Sequence, residues 1–233
     1  MRDHVISHAL AAISTVGTDD IVFFGGTALS RTYLTGLRLS EDIDLLALGD
    51  RSAIADKIEN ALTRQLRRGF GNVTFTPPLK DARHANPSVM QIGDVRVQIQ
   101  LLSSEGYPTW PTEVVDIEQR YSDAPPARLR VLTPEAFVAS KLSSWNDREV
   151  PRDLYDLWAL AEAGFINAKA SELFARWGPY TSPSEVSFAA SLRSANGAHL
   201  SATSASRSSR LRRRPTGSAR RSMMSDQPRP VTT

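Results

Sequence analysis

The sequence predicts an α+β fold in which strands dominate the first half of the chain and helices the second. Apolar residues at helical spacing predict two helices in the first half, over 3–16 and 52–68. Four short apolar runs in the same half are typical of strands: 21–24, 43–48, 73–75 and 94–102. Start signals after residue 132 predict three more helices. A chain of 233 residues is long enough for one domain with a sizeable core and a small appendage.

The first two strands are separated by a glycine pair and a short helix. The run Ile21-Val22-Phe23-Phe24 is apolar throughout, as in a buried strand, and it ends at a pair of glycines. A short helix is expected next, over 27–34, followed by the second buried strand over 43–48. The helix over 52–68 has one apolar side, and its last turns contain arginines, whose positive charge suits a helix C-terminus.

The strand over 94–102 is expected to be apolar on one face only. Valine, isoleucine and leucine alternate there with Arg96, Gln98 and Gln100, so one face packs on the core and the other is polar. The chain after this strand is rich in proline, which predicts a loop-rich segment: prolines lie at 108, 111, 125 and 126.

The second half is expected to be helical. Thr133-Pro134 is a helix start, with threonine as the N-cap and proline at the first helical position. Pro151 opens a second helix that runs to about residue 163, and a third is expected over 168–177. The predicted organisation is therefore a strand-rich core over 1–127, a helical domain over 128–190 and a tail over 191–233.

Charge is spread unevenly along the chain. The formal net charge is +3, but residues 191–233 contain nine arginines and a single acid, Asp226, which gives them a net charge of +8. The preceding 190 residues therefore have a net charge of −5. Because serine and arginine dominate the tail and few of its residues are apolar, we expect disorder there. The tail is either a solvated extension or an arm that contacts RNA phosphates.

Composition excludes several classes of protein. The chain has no cysteine, which rules out disulfides, thiolate metal sites and a cysteine nucleophile and favours a cytoplasmic protein. No apolar run approaches the roughly 20 residues needed to cross a bilayer. The N-terminus lacks the basic and apolar regions of a secretory signal, so no membrane association is expected.

Two features in the first half suggest phosphate chemistry. Gly25 and Gly26 follow a strand and precede a helix, where backbone N–H groups can approach a phosphate, although such a turn is also common as plain structure. Asp42 and Asp44 flank Ile43, so in a strand both carboxylates point to one face. Paired carboxylates repel each other, and a hard cation such as Mg²⁺ relieves the repulsion. The alternative is an acidic surface turn.

A third feature lies in the helical half. The segment PRDLYDL puts Asp153 and Asp156 on one face of a helix, and Lys141 lies on the helix before it. Taken singly, Asp153 could simply favour a helix start, and Lys141 could be solvated.

The order of the three features resembles the nucleotidyltransferase toxins of the abortive-infection AbiEii type, including the mycobacterial MenT group. The resemblance spans about 21–177 and rests on the segments FFGGTALSRTYL, RLSEDIDLL and PRDLYDL, with Lys141 before the last. It implies a polymerase-β-like nucleotidyltransferase core, a mixed sheet with flanking helices, followed by a helical C-terminal half. MenT-type members transfer nucleotides from an NTP to the 3′ acceptor end of tRNA, which blocks aminoacylation and translation. A cognate antitoxin neutralises them.

The resemblance also implies roles for residues near the acid pair. Asp42 and Asp44 would hold Mg²⁺, and two ions are expected. Gly25, Gly26 and Thr27 would cradle the triphosphate of the NTP.

Further roles follow from the rest of the motif. Lys141 would contact the triphosphate, and Asp156, with Asp153 as the less direct candidate, would complete the site. Ser40 would lie at the NTP and matches a position that an antitoxin kinase phosphorylates in some relatives. The arginines expected to contact phosphate are Arg31, Arg38 and Arg152.

One departure from the family pattern leaves the function open. Polymerase-β-like enzymes usually have a third carboxylate on a later strand, whereas the strand over 94–102 offers Gln98 and Gln100. Glutamine can coordinate a metal but adds no charge and is a poor base. The alternatives are a nucleotidyltransferase that modifies a small molecule or a protein, and a catalytically degenerate fold that acts as a binding module.

Overall fold

The computed structural model describes residues 1–36, 38–83 and 86–189. The predicted tail over 191–233 lies outside the described residues. The described helices are α1 (Arg2–Ser14), α2 (Gly25–Ser30), α3 (Arg51–Phe70), α4 (Pro134–Arg148), α5 (Pro151–Glu162) and α6 (Ala168–Trp177). The described strands are β1 (Ile21–Phe24), β2 (Ile43–Ala47), β3 (Val73–Thr76), β4 (Ser88–Ile92), β5 (Val95–Ser103), β6 (Thr112–Ile117) and β7 (Ala127–Leu132).

The seven strands form one mixed sheet in the order β3-β4-β5-β2-β1-β7-β6. The central strand β2 is antiparallel to β1 and parallel to β5, and β1 is parallel to β7. The remaining neighbours are antiparallel. Because β1 and β2 lie side by side, the end of β1 and the start of β2 meet at the same edge of the sheet.

The helices begin and end where the local chemistry requires. The Asp50 side chain caps α3 by accepting a 2.8 Å hydrogen bond from the Ala53 N–H. The Thr133 side chain caps α4 in the same way, followed by the expected proline. α4 ends at Glu149, a left-handed residue with φ of 50°. The sharp turn at Glu149 allows α5 to start again two residues later and to pack against α4.

The core lies between the sheet and its helices. α1 and α3 pack against each other, and both contact β5. Apolar residues on α1 are buried at the predicted helical spacing: Val5, Ile6, Ala9, Leu10 and Ile13. On β2, Ile43 and Leu45 are fully buried, which leaves the alternate face of the strand for polar residues.

The predicted α+β fold, with strands first and helices last, is confirmed. Three strands were missed: β4, and β6 and β7, which occupy much of the segment predicted to be loop-rich. The sequence of β7 does alternate between apolar and polar residues, but the adjacent prolines obscured this pattern. Arg128 and Arg130 separate its buried residues, which are Ala127, Leu129 and Val131. β6 is mostly half-exposed and has little periodic signal.

Two boundaries differ from the prediction. The helix expected over 27–34 ends at Ser30 and is followed by a turn. β7 inserts between β1 and β6, so the sheet continues past the predicted domain boundary at 127. The division into three segments stays a prediction. Among the described residues, no helix has the length and hydropathy of a transmembrane span.

Candidate active site

The glycine pair connects β1 directly to α2, and both positions are too crowded for a side chain. Gly25 has a φ of +77°, and a Cβ atom there would overlap the Asp44 carboxylate. A Cβ atom on Gly26 would lie 2.9 Å from Arg38 Nη2 and 2.9 Å from Ser40 Oγ. The glycines therefore bring the backbone into contact with three side chains that the sequence analysis assigned to the site.

The two carboxylates lie close enough for the charge of Asp42 to act on Asp44. Asp42 precedes the strand and Asp44 is its second residue, with the fully buried Ile43 between them. Asp44 pairs with Phe24 at the end of β1. The Thr27 hydroxyl donates a hydrogen bond to the Asp42 carbonyl oxygen. This bond ties the first turn of α2 to the start of β2 and fixes the acid pair against the glycines.

Asp44 is the most perturbed carboxylate of the site. Burial, and after it the negative charge of Asp42, raise the pKa of Asp44 to about 6. The positive charges of Lys141, Arg148 and Arg152 oppose this shift. Because all three cations act on Asp44, α4 and the start of α5 face the acid pair.

Gln100 occupies the place beside Asp44 on the next strand. The parallel register of β2 and β5 pairs Asp44 with Gln100. Gln98 lies two residues earlier on the same strand and is exposed. At the position where a third carboxylate would stand next to the acid pair, this chain therefore has an amide.

Tyr107 is a site residue that the sequence analysis missed. Burial raises the pKa of Tyr107 to about 12, and the nearby charge of Asp44 contributes to the shift. The phenol is therefore neutral at physiological pH. The ring lies 5.8 Å from that of Phe24, between centroids. Tyr107 belongs to the loop after β5, where a lone aromatic has no periodic pattern that could have revealed it.

Lys141 is buried and lies between the two acids of α5. Its Nζ lies 2.7 Å from Asp156 Oδ2 and 3.3 Å from Asp153 Oδ1. Only 7% of the lysine side chain is exposed. The motif predicted these three residues to act together, and the structure brings them together in one ion-pair cluster.

An arginine completes the pairing of each acid. Arg148 Nε and Nη2 donate to the two oxygens of Asp153 at 2.7 and 2.9 Å. Burial alone would raise the pKa of Asp153, but the hydrogen bonds from Arg148 and the charge of Lys141 outweigh it and lower the pKa. Arg38 Nε and Nη2 likewise donate to both oxygens of Asp156, at 2.6 and 2.7 Å. Both carboxylates are thus engaged with cations.

This ion-pair cluster consists of three cations and two acids, with a formal charge of +1: Arg38, Lys141, Arg148, Asp153 and Asp156. Arg38 comes from the segment before β2, so the cluster joins the helical half to the glycine turn. Arg148 was not predicted as a site residue. Arg152 is exposed at the start of α5.

Arg31 does not belong to the site, contrary to the prediction that it contacts phosphate. Its side chain is 1% exposed, and Nη2 donates to Asp3 Oδ1 at 2.7 Å. Nη1 donates to Ser7 Oγ at 2.9 Å and to the Glu118 carbonyl at 3.0 Å. Arg31 therefore holds α1 to the end of β6 and has no surface to offer a phosphate.

A strand-to-helix glycine turn, an acid pair beside it and facing cations are the features that the resemblance to nucleotidyltransferases implies. The chain belongs to the family of AbiEii nucleotidyl transferase toxins of type IV toxin–antitoxin systems, whose family model matches residues 8–227. Membership confirms the predicted nucleotidyltransferase core and implies an antitoxin as partner. No curated protein matches the chain.

Several solved structures resemble the fold at low sequence identity. The antibiotic-resistance factor ANT(2'')-Ia is 16% identical with a TM-score of 0.46, over 84% of this chain and 97% of that one. JHP933 from Helicobacter pylori is 19% identical with a TM-score of 0.46, over 72% of each chain. An antigenic nucleotidyltransferase-like protein from Paracoccidioides brasiliensis is 16% identical with a TM-score of 0.42, over 72% and 86%. The family membership rests on the sequence match, not on these likenesses.

Proposed function

We propose that the protein is a Mg²⁺-dependent toxin of the MenT kind, acting in the cytoplasm, that transfers nucleotides from an NTP to the 3′ acceptor end of tRNA. The added nucleotides block aminoacylation and with it translation. One observation carries the proposal: the acid pair Asp42 and Asp44 lies against the glycine turn, and cations of α4 and α5 face it.

The acid pair suits a divalent cation. Carboxylate oxygens are hard ligands of the kind that Mg²⁺ prefers. The repulsion from Asp42 that helps to raise the pKa of Asp44 would be relieved by a cation between them. Asp42 and Asp44 would hold Mg²⁺, with two ions expected. Bound there, the metal would neutralise triphosphate charge and favour ionisation of the attacking hydroxyl.

Transfer consists of one substitution at phosphorus. The oxygen of the acceptor 3′-hydroxyl forms a bond to the α-phosphorus, the hydroxyl proton is lost to solvent, and the bond to the β-phosphate breaks to release pyrophosphate. The protein contributes mainly by positioning the groups and stabilising charge. Backbone N–H groups of Gly25, Gly26 and Thr27, in the first turn of α2, would hold the phosphates.

Lys141 would offset the charge on the leaving pyrophosphate. Asp156 and Asp153 complete the site by holding the ammonium group, which lies 2.7 and 3.3 Å from their oxygens. Arg38, bound to Asp156 and close to Gly26, would contact phosphate, as would the exposed Arg152 at the start of α5. In this assignment the acids of α5 are positioning residues.

Two exposed aromatics beside the site favour a nucleic-acid acceptor. Tyr155 is 37% exposed and lines a cleft with Gly26, Arg38 and Asp156. Trp158 is 53% exposed, with its ring centroid 5.4 Å from that of Tyr155. Exposed aromatic rings stack on nucleobases, and each stacked base is worth about 1–3 kcal/mol.

Ser40 is the proposed point of control by an antitoxin kinase. Its hydroxyl lies 2.9 Å from the point that a Cβ on Gly26 would occupy. A phosphate on Ser40 would therefore fall into the glycine cradle and compete with the NTP for the same N–H groups. Neutralisation by direct contact with an antitoxin is the alternative.

The acceptor can be identified directly. Purified protein is incubated with Mg²⁺ and each α-labelled NTP in turn, with total tRNA, a protein extract or a small-molecule pool. Label on tRNA that is removed by a 3′ exonuclease supports the proposal and names the nucleotide. Label on protein or on small molecules instead would move the assignment to another acceptor. Mg²⁺-dependent NTP binding without any label would support the degenerate binding module, which the amide at Gln100 favours.

A double variant tests the acceptor surface separately. Tyr155→Ala with Trp158→Ala should raise the KM for tRNA by about tenfold or more, while NTP affinity changes little. Exposed Tyr180 is a matched control, so Tyr180→Ala should leave both constants unchanged. An unchanged KM for tRNA in the double variant would remove the stacking argument.

A further inference from the structure

A separate cluster of metal-ligating side chains lies at the N-terminal turns of α1. His4 and His8 are four residues apart on this helix, so their imidazoles lie on the same side. Asp123 lies in the connection between β6 and β7, at least 115 residues further along the chain, and its carboxylate contacts both imidazoles. None of the three residues belongs to the acid pair, the glycine turn or the ion-pair cluster.

The ligand atoms converge closely. His4 Nε2 lies 2.9 Å from both carboxylate oxygens of Asp123, and His8 Nε2 lies 3.4 Å from Oδ2. One ligand atom from each of the three residues lies within 4.8 Å of the others. Around a tetrahedral ion with bonds of about 2.0–2.1 Å, neighbouring ligand atoms stand about 3.3 Å apart. The separations between each histidine nitrogen and the Asp123 oxygens, 2.9 and 3.4 Å, are near that value.

Neighbouring rings hold the two imidazoles in place. The His4 ring lies 4.5 Å from that of Tyr121 and 5.2 Å from that of Phe70, between centroids. The His8 ring lies 4.9 Å from that of Phe70, edge to face. The two histidine side chains are only 24% and 14% exposed, whereas that of Asp123 is 61% exposed. The imidazoles are therefore confined before any ligand binds, which lowers the entropy cost of binding.

We propose that His4, His8 and Asp123 form a binding site for one Zn²⁺ ion. Two histidines at positions i and i+4 of a helix with a carboxylate from elsewhere are a donor set suited to zinc, and less suited to Mg²⁺ or Ca²⁺. The exposed side of Asp123 leaves the fourth position to water. The pair of imidazoles distinguishes this site from the all-oxygen acid pair at Asp42 and Asp44.

The ion would fasten α1 to the connection between β6 and β7. Next to the cluster, Arg2 and Asp3 already link the same helix turn to Glu41 and Arg31. The site joins distant parts of the chain and therefore exists only in the folded state. Zinc should stabilise that state, and at concentrations above Kd the gain should rise with the logarithm of the free zinc concentration. The proposal concerns the stability of the fold and does not depend on the acceptor of the transfer reaction.

Zinc titration of the tag-free full chain, after chelation and desalting, tests the proposal. Calorimetry should find one Zn²⁺ per chain with a Kd on the order of 1 μM or below, and the melting temperature should rise by about 5–10 °C at hundredfold excess over Kd. Substituted with Co²⁺, the site should show the visible absorption of a four-coordinate centre. Mg²⁺ in place of Zn²⁺ should not reproduce the shift.

Variants separate this site from other sources of zinc binding. Asp123→Asn and His8→Gln should each weaken zinc binding by about a hundredfold. His84→Gln, which replaces a histidine that is not one of the three proposed ligands, and Asp42→Ala, which removes a carboxylate of the acid pair, should both keep zinc binding. Asp123 is exposed, so its variant should fold, and its melting temperature in EDTA checks this. Binding that is unchanged in Asp123→Asn, or lost in Asp42→Ala, would overturn the proposal.

Discussion

Replacing Lys141 by methionine should separate catalysis from stability. The ammonium group contributes one of the three cations of the ion-pair cluster, and without it two arginines and two acids remain. Asp156 keeps both of its hydrogen bonds from Arg38, and Asp153 keeps both from Arg148. No buried charge is left unpaired, so the large penalty for breaking a buried ion pair should not arise.

The expected changes in stability and in kcat follow from this count of charges. A well-packed methionine in place of a buried lysine is often neutral, and we expect a change in the free energy of unfolding of about 1 kcal/mol or less. That corresponds to a shift in melting temperature of about 2–4 °C for a chain of this size. Loss of a charge that stabilises the leaving group typically lowers kcat about 10²–10³-fold.

The assay measures thermal unfolding and NTP transfer on the same preparation of Lys141→Met. Ser143→Ala, a substitution two residues along α4 at a half-buried position, serves as the control for the helix itself. A fall in melting temperature of more than about 10 °C with kcat nearly unchanged would refute the reasoning. The lysine would then be a structural group of the core and not a contact for the triphosphate.

Three further substitutions test the geometry of the site. Asp44→Asn should stabilise the metal-free protein by about 1–2 kcal/mol above pH 6. The pKa of Asp44 is raised from 3.8 to about 6 in the folded protein, so the wild type loses stability as pH rises through that window. Urea unfolding in EDTA at pH 4 and 7.5 should show the gain only at the higher pH, with exposed Asp94→Asn unchanged at both. Gly25→Ala should lower the free energy of unfolding by about 2 kcal/mol or more and abolish transfer, because the φ of Gly25 is +77° and a Cβ would overlap Asp44. A variant as stable in urea as the wild type would argue against this crowding. Asp153→Asn should destabilise the protein by about 2–4 kcal/mol at pH 7, because Arg148 loses its partner. Because the pKa of Asp153 is lowered in the folded protein, the unfolded wild-type chain takes up this proton first as pH falls below about 4, and the loss caused by the substitution should shrink there. An equal loss at pH 7 and below pH 4 would contradict the ion-pair account.

The parts of the site that depend on local pattern were predictable. Asp42 and Asp44 alternate with apolar residues, and in a strand that period predicts both carboxylates on one face whatever the rest of the fold does. The glycine pair between a strand and a helix was equally local. The sequence also grouped Lys141 with the acids of α5 through the family motif, and the ion pairs bear this grouping out.

The parts that depend on distant contacts were not predictable. Arg38 reaches Asp156 across 118 positions, and no spacing rule indicates such a partner. Arg31 flanks the site in sequence, but at the end of α2 its side chain turns towards Asp3 on α1. Tyr107 reaches Asp44 from a loop. Side-chain direction beyond the ends of regular elements is set by tertiary packing, which a single sequence does not reveal.

Transfer by an Asp42→Asn variant is the most direct test of the central claim, that the acid pair supports metal-dependent nucleotidyl transfer. Labelled NTP, total tRNA and Mg²⁺ are incubated with wild type, Asp42→Asn and the exposed control Asp94→Asn, and the products are separated on a denaturing gel. The account predicts that Asp42→Asn loses at least about a hundredfold in rate while Asp94→Asn keeps wild-type activity and both remain folded. Transfer at the wild-type rate by folded Asp42→Asn would contradict the account.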